Sequence, residues 1–347
     1  MKEKSGRKIA FRAALIFFLG LVLFLCLSPG TGLSQIKSNT QLSIATGGTG
    51  GVFYVMGGGI AAAISKHIKG VEATAEVTPA SVDNCKLIMA RKADLGFCNG
   101  DTAYDAYTGM ERFRPTGKIP VRALAVLYSS PYHVLTLSGN GVNSVADMKG
   151  RRVSTGAPGS GAEIIALRIL EAAGLDPNKD IKRERLSVAE AASALKDRKT
   201  DASFEGALGT PAAAVLDLAS TPGIKLKLIP HDEYLDKITK KYGPSYFKVV
   251  IPKETYPGMN APVGTVAVAT ILICHEQFEE KMAYEITKCI IEKRGELKLV
   301  HKEAAKISLE SAVLGSSVPY HPGAIKYYKE KRVWPRDRVY KDGFKNL

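Results

Sequence analysis

"GRRVSTGAPGSGAEIIALRILEAAGL", Gly150 to Leu175, holds a complete strand, glycine loop and helix. Gly174 stands after the apolar-periodic run as a stop at C′, and Pro177 follows it. The same order occurs earlier in the chain. "TQLSIAT" alternates as a short strand, "ATGGTGGVFY" (Ala45 to Tyr54) is glycine-dense, and "GGIAAAISKHI" spaces Ile60, Ile64 and Ile68 four apart along a helix. Thr46-Gly47-Gly48 and Thr155-Gly156-Ala157 hold equivalent places in the two units.

The pattern continues outward from both. "VEATAEVTP" reads as a strand, "SVDNCKLIMARKA" as a helix with Ser81 as N-cap, and "ADLGFCNGD" as a strand ending in a loop. In the second half the counterparts are "DIKRERLS", "VAEAASALKDRK" and "TDASFEGALG", then the helix "TPAAAVLDLAS" with Pro211 near its first turn. "VRALAVLYSSPYHVLTL" is a long apolar strand that Pro131 breaks, which suits a crossing between lobes. "IKLKLIP" and "GTVAVATILICHE" are further strands, and "EEKMAYEITKCIIEK" is a long helix. Alternating strands and helices predict parallel sheet. Two such units predict an α/β protein of two lobes, with ligands bound at the carboxyl ends of the strands in a cleft between them.

A helix N-terminus presents unsatisfied N–H groups and about half a positive charge. Glycines let the backbone close on an anion, and a nearby Thr or Ser adds a hydroxyl. An ordinary strand–helix turn would use the same residues, so each loop alone is ambiguous. The enzymatic versions fail on the letters. Gly156 to Gly161 has phosphate-loop spacing, but Ala162 and Glu163 stand where Lys and Ser or Thr are needed. The dinucleotide fingerprint fails because Phe53 replaces the third glycine. A nucleophile elbow around Ser160 fails at Pro158 and Ala162. His231, His275, His301 and His321 each stand alone in their segments. Asp101 suits a cap of "TAYDAY", and the helix dipole accounts for Glu163. The parts point to binding rather than catalysis, without cofactor or metal.

The N-terminus has its own pattern. "MKEKSGRK" is basic, Ala13 to Leu27 is an apolar run, and Gly32 and Ser34 offer a cleavage boundary before Gln35. That predicts a secretory signal peptide over residues 1–34; the alternative is an uncleaved anchor, for which the run is short. Cys26 lacks the small residue a lipidation site would want before it. Cleavage removes Lys2, Lys4, Arg7, Lys8, Arg12 and Glu3, lowering the formal charge from +14 to +10. A basic surface favours anionic partners, and export argues against nucleic acid. Cys85, Cys98, Cys274 and Cys289 remain, with no zinc spacing and three possible pairings, or none.

Six segments together resemble the TAXI-type solute receptors of TRAP transporters. They are "IATGGTGGVFY", "ADLGFCNGDTAYDAYTG", "LAVLYSSPYHVL", "VADMKGRRVSTGAPGSGAEIIALRILEAAGL", "GTPAAAVLDLA" and "SSVPYHPGAIKYYKEK". Two departures are "FCNGD", where such receptors often end in Gln-Ser-Asp, and the missing Pro after the aromatics of "FYVMGGG". The resemblance implies a bilobal periplasmic-binding-protein fold of type II. Residues 1–34 would be the signal peptide, 35–130 the first part of lobe I, 131–255 lobe II and 256–347 the return to lobe I. It implies a periplasmic monomer that closes on a small organic anion or amino acid of the glutamate or 2-oxoglutarate kind. It would deliver that ligand to an ion-gradient-driven permease. By motif position, Thr46, Gly47, Thr49, Gly50, Gly51 and Tyr54 line one wall, with Asn99 and Asp101 after the third strand. Gly159, Ser160, Gly161 and Ala162 line the other. Tyr132, Glu163, Phe204 and Glu205 complete the set. No arginine falls inside a loop motif, so amides and hydroxyls would hold a carboxylate. The competing readings are a ligand sensor for a membrane signalling protein and an exported hydrolase using Ser160.

Overall fold

The computed structural model describes residues 40–334. The expected signal peptide over residues 1–34, with Cys26, lies outside the described residues. The first half contains β1 (Thr40–Ala45), α1 (Val52–His67), β2 (Val71–Glu76), α2 (Ser81–Met89), β3 (Leu95–Asn99), α3 (Gly100–Thr108) and β4 (Val121–Leu137). β1 runs parallel to both β2 and β3. The second half repeats the order with β5 (Arg152–Ser154), α4 (Gly161–Ala172), β6 (Lys182–Glu184), α5 (Val188–Lys196), β7 (Ala202–Ala207) and α6 (Ala213–Ser220). β5 in turn runs parallel to β6 and β7. The remainder comprises β8 (Leu226–Leu228), α7 (Leu235–Tyr242), β9 (Tyr246–Ile251), β10 (Val263–His275), α8 (Glu280–Glu292), α9 (Arg294–Val300), α10 (Leu309–Ala312) and α11 (Pro322–Glu330).

The main strand order is β2-β1-β3-β10-β4-β7-β5-β6. It reads alike from either edge: three parallel strands, then one long antiparallel strand. β10 closes the first lobe against β3, and β4 closes the second against β7. β4 and β10 pair with each other in the middle. The fold is therefore a bilobal α/β architecture with two crossing strands. β4 is not broken at Pro131, as the sequence predicts, but runs through it. Pairing with β10 ends at Pro131, and pairing with β7 begins at Tyr132. The Pro131 carbonyl still accepts the Leu208 N–H, so the missing proline donor does not end the strand.

Two apolar cores follow. One packs Ile60 and Ile64 of α1, Ile88 of α2 and Ile286 and Ile290 of α8 around the first sheet sector. Leu195 of α5 and Val215 and Leu218 of α6 join that core, although their helices follow second-lobe strands. The other packs Ile165 and Ile169 of α4, Val153, Phe204, Ile238 and Tyr246. Three local expectations shift. α1 begins at Val52, so the "FYVMGGG" residues are helical. Gly57 is required there, because a Cβ would collide with the Thr46 methyl beneath the helix. Ser81 is the first residue of α2 rather than its cap, which is Ala80. Pro211 precedes α6 and its cap Ala212, and follows a cis bond. No described helix is long and apolar enough to cross a membrane.

Candidate functional site

The first glycine loop ends on α1, with Gly51 as a cap that offers no side chain. Thr46 is fully buried, and its hydroxyl donates to the Glu76 carbonyl at 2.6 Å. That hydroxyl supports the loop from below. Thr49 is exposed and Tyr54 half-buried in the first turn of α1. Gly47 lies against Phe53 and Ala80. Gly50 faces the other lobe: a Cβ there would stand 3.0 Å from that of Ala214 and 3.5 Å from that of Ala189. So the loop abuts the first turns of α5 and α6.

The second loop ends on α4. Ser160 caps that helix, accepting from the Glu163 N–H at 3.1 Å and donating to the Ala157 carbonyl at 2.6 Å. Gly159 adopts φ +80°, and its carbonyl accepts the Asp83 N–H of α2 at 3.2 Å. A Cβ on Gly159 would run into the Asp83 carboxylate, so only glycine fits. A Cβ on Gly161 would come within 2.6 Å of Asn99 Nδ2 and 3.0 Å of Ser81 Oγ. Ala162 packs over Gly156 and Gly206 within its own lobe. Each glycine loop thus meets helix starts and strand ends of the opposite lobe.

Among the described residues, three unpartnered buried polar atoms lie at the carboxyl ends of strands, one of them Glu184 Oε2 at the end of β6. Asn99 closes β3 and is 3% exposed; its N–H donates to Ser81 Oγ at 3.1 Å, while its Oδ1 has no partner. Ser154 closes β5, and its buried Oγ has none either. A buried acceptor or hydroxyl left unmatched costs about 1–3 kcal/mol, so such positions call for a complement.

Arginines supply the positive charge that the loop motifs lack. Glu163 is buried, and one oxygen receives Arg183 Nη2 and Arg185 Nε, both at 2.6 Å. Arg112 of the first lobe stands 3.6 Å from its other oxygen. Three guanidinium groups therefore surround one carboxylate beside the α4 N-terminus. Burial lowers the Arg183 pKa, and Arg185 and Arg112 lower it further. Arg183 also donates to Thr155 Oγ1 at 2.9 Å, fixing the loop.

Asp101 does not cap α3 and sits in its first turn. Its Oδ2 accepts from Tyr132 at 3.3 Å and Tyr246 at 3.1 Å, with Arg168 Nη1 3.7 Å away. Arg168 reaches across from α4 to Asp105 of α3 at 2.5 Å and lies over the Tyr242 ring. Burial works against the Arg168 charge, but Tyr246, Asp105 and Asp101 outweigh it and hold the pKa above its ordinary value. Burial also pushes Asp105 up to about 7. Phe204 and Glu205 are buried on β7, with Glu205 accepting from Ser203. Burial pushes Glu205 up to about 8.

The sequence reading missed Ser81, Arg112, Arg168, Arg183 and Arg185. Arg183 and Arg185 carry the best available signal, since they end a second-lobe strand where ligands bind. A cavity of about 810 Å³ lies away from the loops, lined by Tyr128, Tyr246, Phe247, Lys306 and Leu314 among others. Chemically, the loop region can hold an anion through arginines and amides. Ser160 has both hydrogen-bonding directions occupied locally, which leaves it unsuited to attack.

Several solved structures are similar to the chain. A protein from Bordetella bronchiseptica RB50 is 18% identical, with a TM-score of 0.50 over 86% of this chain and 91% of its own. The periplasmic aliphatic sulphonate binding protein SsuA from Escherichia coli is 14% identical, with a TM-score of 0.47 over 85% and 80%. A putative L-cystine ABC transporter protein from Listeria monocytogenes is 18% identical, with a TM-score of 0.44 over 75% and 94%. At these identities the likeness is one of fold. The family model described as NMT1-like matches residues 44–331, and the chain belongs to that family.

Proposed function

We propose that this chain is an exported solute receptor of the TAXI type that captures a small organic anion or amino acid and hands it to an ion-gradient-driven TRAP permease. The lobes are 35–130 with 256–347, and 131–255; residues 1–34 direct export. The observation that carries the reading is the apposition of the α4 loop, through Gly159 and Gly161, to Asp83, Ser81 and Asn99 of the other lobe. The seam holds an unmatched Asn99 acceptor and three arginines around one carboxylate. Arg183 and the loop amides take a ligand carboxylate, and Asn99 Oδ1 takes a ligand donor such as an ammonium. Gly47, Gly50 and Gly51 shape the facing wall. Ligand contacts to both lobes favour the closed state and shift the population toward it.

The test is thermal unfolding with glutamate, 2-oxoglutarate, succinate, glutamine and a neutral sugar. A ligand at 100 times its Kd stabilises by about 2.7 kcal/mol, a shift of several degrees. Arg183→Ala and Asn99→Ala should each remove most of that shift. No response to any anion or amino acid sinks the ligand class; full responses in both variants sink the site. Uptake into vesicles holding a TRAP permease, with and without the receptor, tests the partner.

A further inference from the structure

Two sulfur atoms touch inside the first lobe. Cys85 lies on α2 and Cys98 near the end of β3, with their Sγ atoms 3.5 Å apart. Both side chains are fully buried. Cys85 sits with Val82 and Ile88 on the buried face of α2. Cys274 on β10 and Cys289 on α8 are also buried, but among the described residues only Cys85 and Cys98 bring sulfur against sulfur. In a reducing compartment such a pair is simply packed. Outside the cytoplasm, where thiols oxidise, contact between two thiols is the geometry that precedes a bond.

We propose that Cys85 and Cys98 form a disulfide in the exported protein, fastening α2 to β3 beneath the cleft wall. The inference rests on the export reading for its oxidant. The two thiols and one disulfide donor (a small-molecule or protein disulfide) exchange through a mixed disulfide. Cys85–Cys98 is oxidised, the donor is reduced to two thiols, and no other electrons move. The Sγ atoms then close to about 2.05 Å. Both thiols are fully buried and closed to an outside disulfide once the chain is folded, so the bond forms during folding. The consequence is local to the site: α2 carries Ser81 and Asp83, and β3 ends on Asn99, the residues that meet the α4 loop.

The full chain is refolded from denaturant in a glutathione redox buffer, alkylated after unfolding, digested and mapped by mass. The expected result is a linked pair of peptides holding Cys85 and Cys98, with Cys274 and Cys289 alkylated. Reduction should lower Tm by about 5 °C. Cys85→Ser should leave Cys98 alkylatable; the wild-type map decides the matter even if that variant does not fold. Four alkylated thiols in protein with native circular dichroism, or a link through Cys274 or Cys289, overturns the pairing. Refolding supplies its own oxidant, so this outcome does not depend on where the cell places the chain. A correct link in refolded protein, with the chain retained in the cytosol on fractionation, overturns the export reading alone.

Discussion

Glu205 shows what one buried side chain does to the pH response. Its carboxyl accepts a hydrogen bond from Ser203, and burial raises its pKa from an ordinary 4.5 to about 8. At neutral pH the folded chain holds this proton while the unfolded chain releases it. The raised value therefore contributes full relative stability below about pH 4.5. That contribution fades as the pH rises toward 8, by at most roughly 4–5 kcal/mol. Glu205→Gln keeps the shape and removes the titration. Urea unfolding at pH 5 and pH 8 should show the variant losing less stability than the wild type over that interval. Equal losses in both would show that Glu205 ionises in the fold. The sequence placed Glu205 at a strand end but could not show its environment, which comes from residues far away in the chain. The same holds for Thr46, whose hydroxyl reads as a ligand donor in the letters and turns out to support Glu76.

At the scale of the element, α4 was the most legible part of the chain. Its apolar stripe and its stop at Gly174 are local signals, and both appear where the letters put them, whereas the letters offered Ser160 as a lining residue and the structure makes it the cap. Its partners were not legible. Glu163 and Arg168 sit on one helix and meet Arg112 in one direction and Asp101 and Asp105 in another, all from the other lobe. Nothing in the spacing of residues 101, 112 and 168 announces that they converge. These charges tie α4 to Arg112, Asp101 and Asp105 across the seam. Arg168→Met would leave Asp101 and Asp105 without their cation and should cost about 3–5 kcal/mol in urea unfolding. Ser160→Ala, which removes only the cap, should cost about 1 kcal/mol. A loss for Arg168→Met no larger than that for Ser160→Ala would mean that the tyrosines alone satisfy the aspartates.

At the scale of the molecule, the mirrored strand order explains how two similar halves can work as one device. Each half ends its parallel strands at the seam, and β4 and β10 are the strands that pass between them. Relative motion of the halves must therefore bend those two strands, while the glycine loops meet and part. The doubled strand–loop–helix order made this architecture readable. The partners each loop meets were not readable, since they depend on how the lobes dock. Gly50 marks a contact sensitive to docking, because a Cβ there already stands 3.0 Å from that of Ala214 across the seam. Gly50→Leu inserts a wedge where helix starts would have to retreat. It meets Ala214 only at the margin of the first hydrophobic core, so the lobes should still fold. Small-angle scattering should show a larger radius of gyration for the variant under saturating ligand, and calorimetry should show affinity reduced tenfold or more. An unchanged radius together with unchanged affinity would mean that the ligand is held without approach of the Gly50 loop to α6, and the hinge-closure account would then fail.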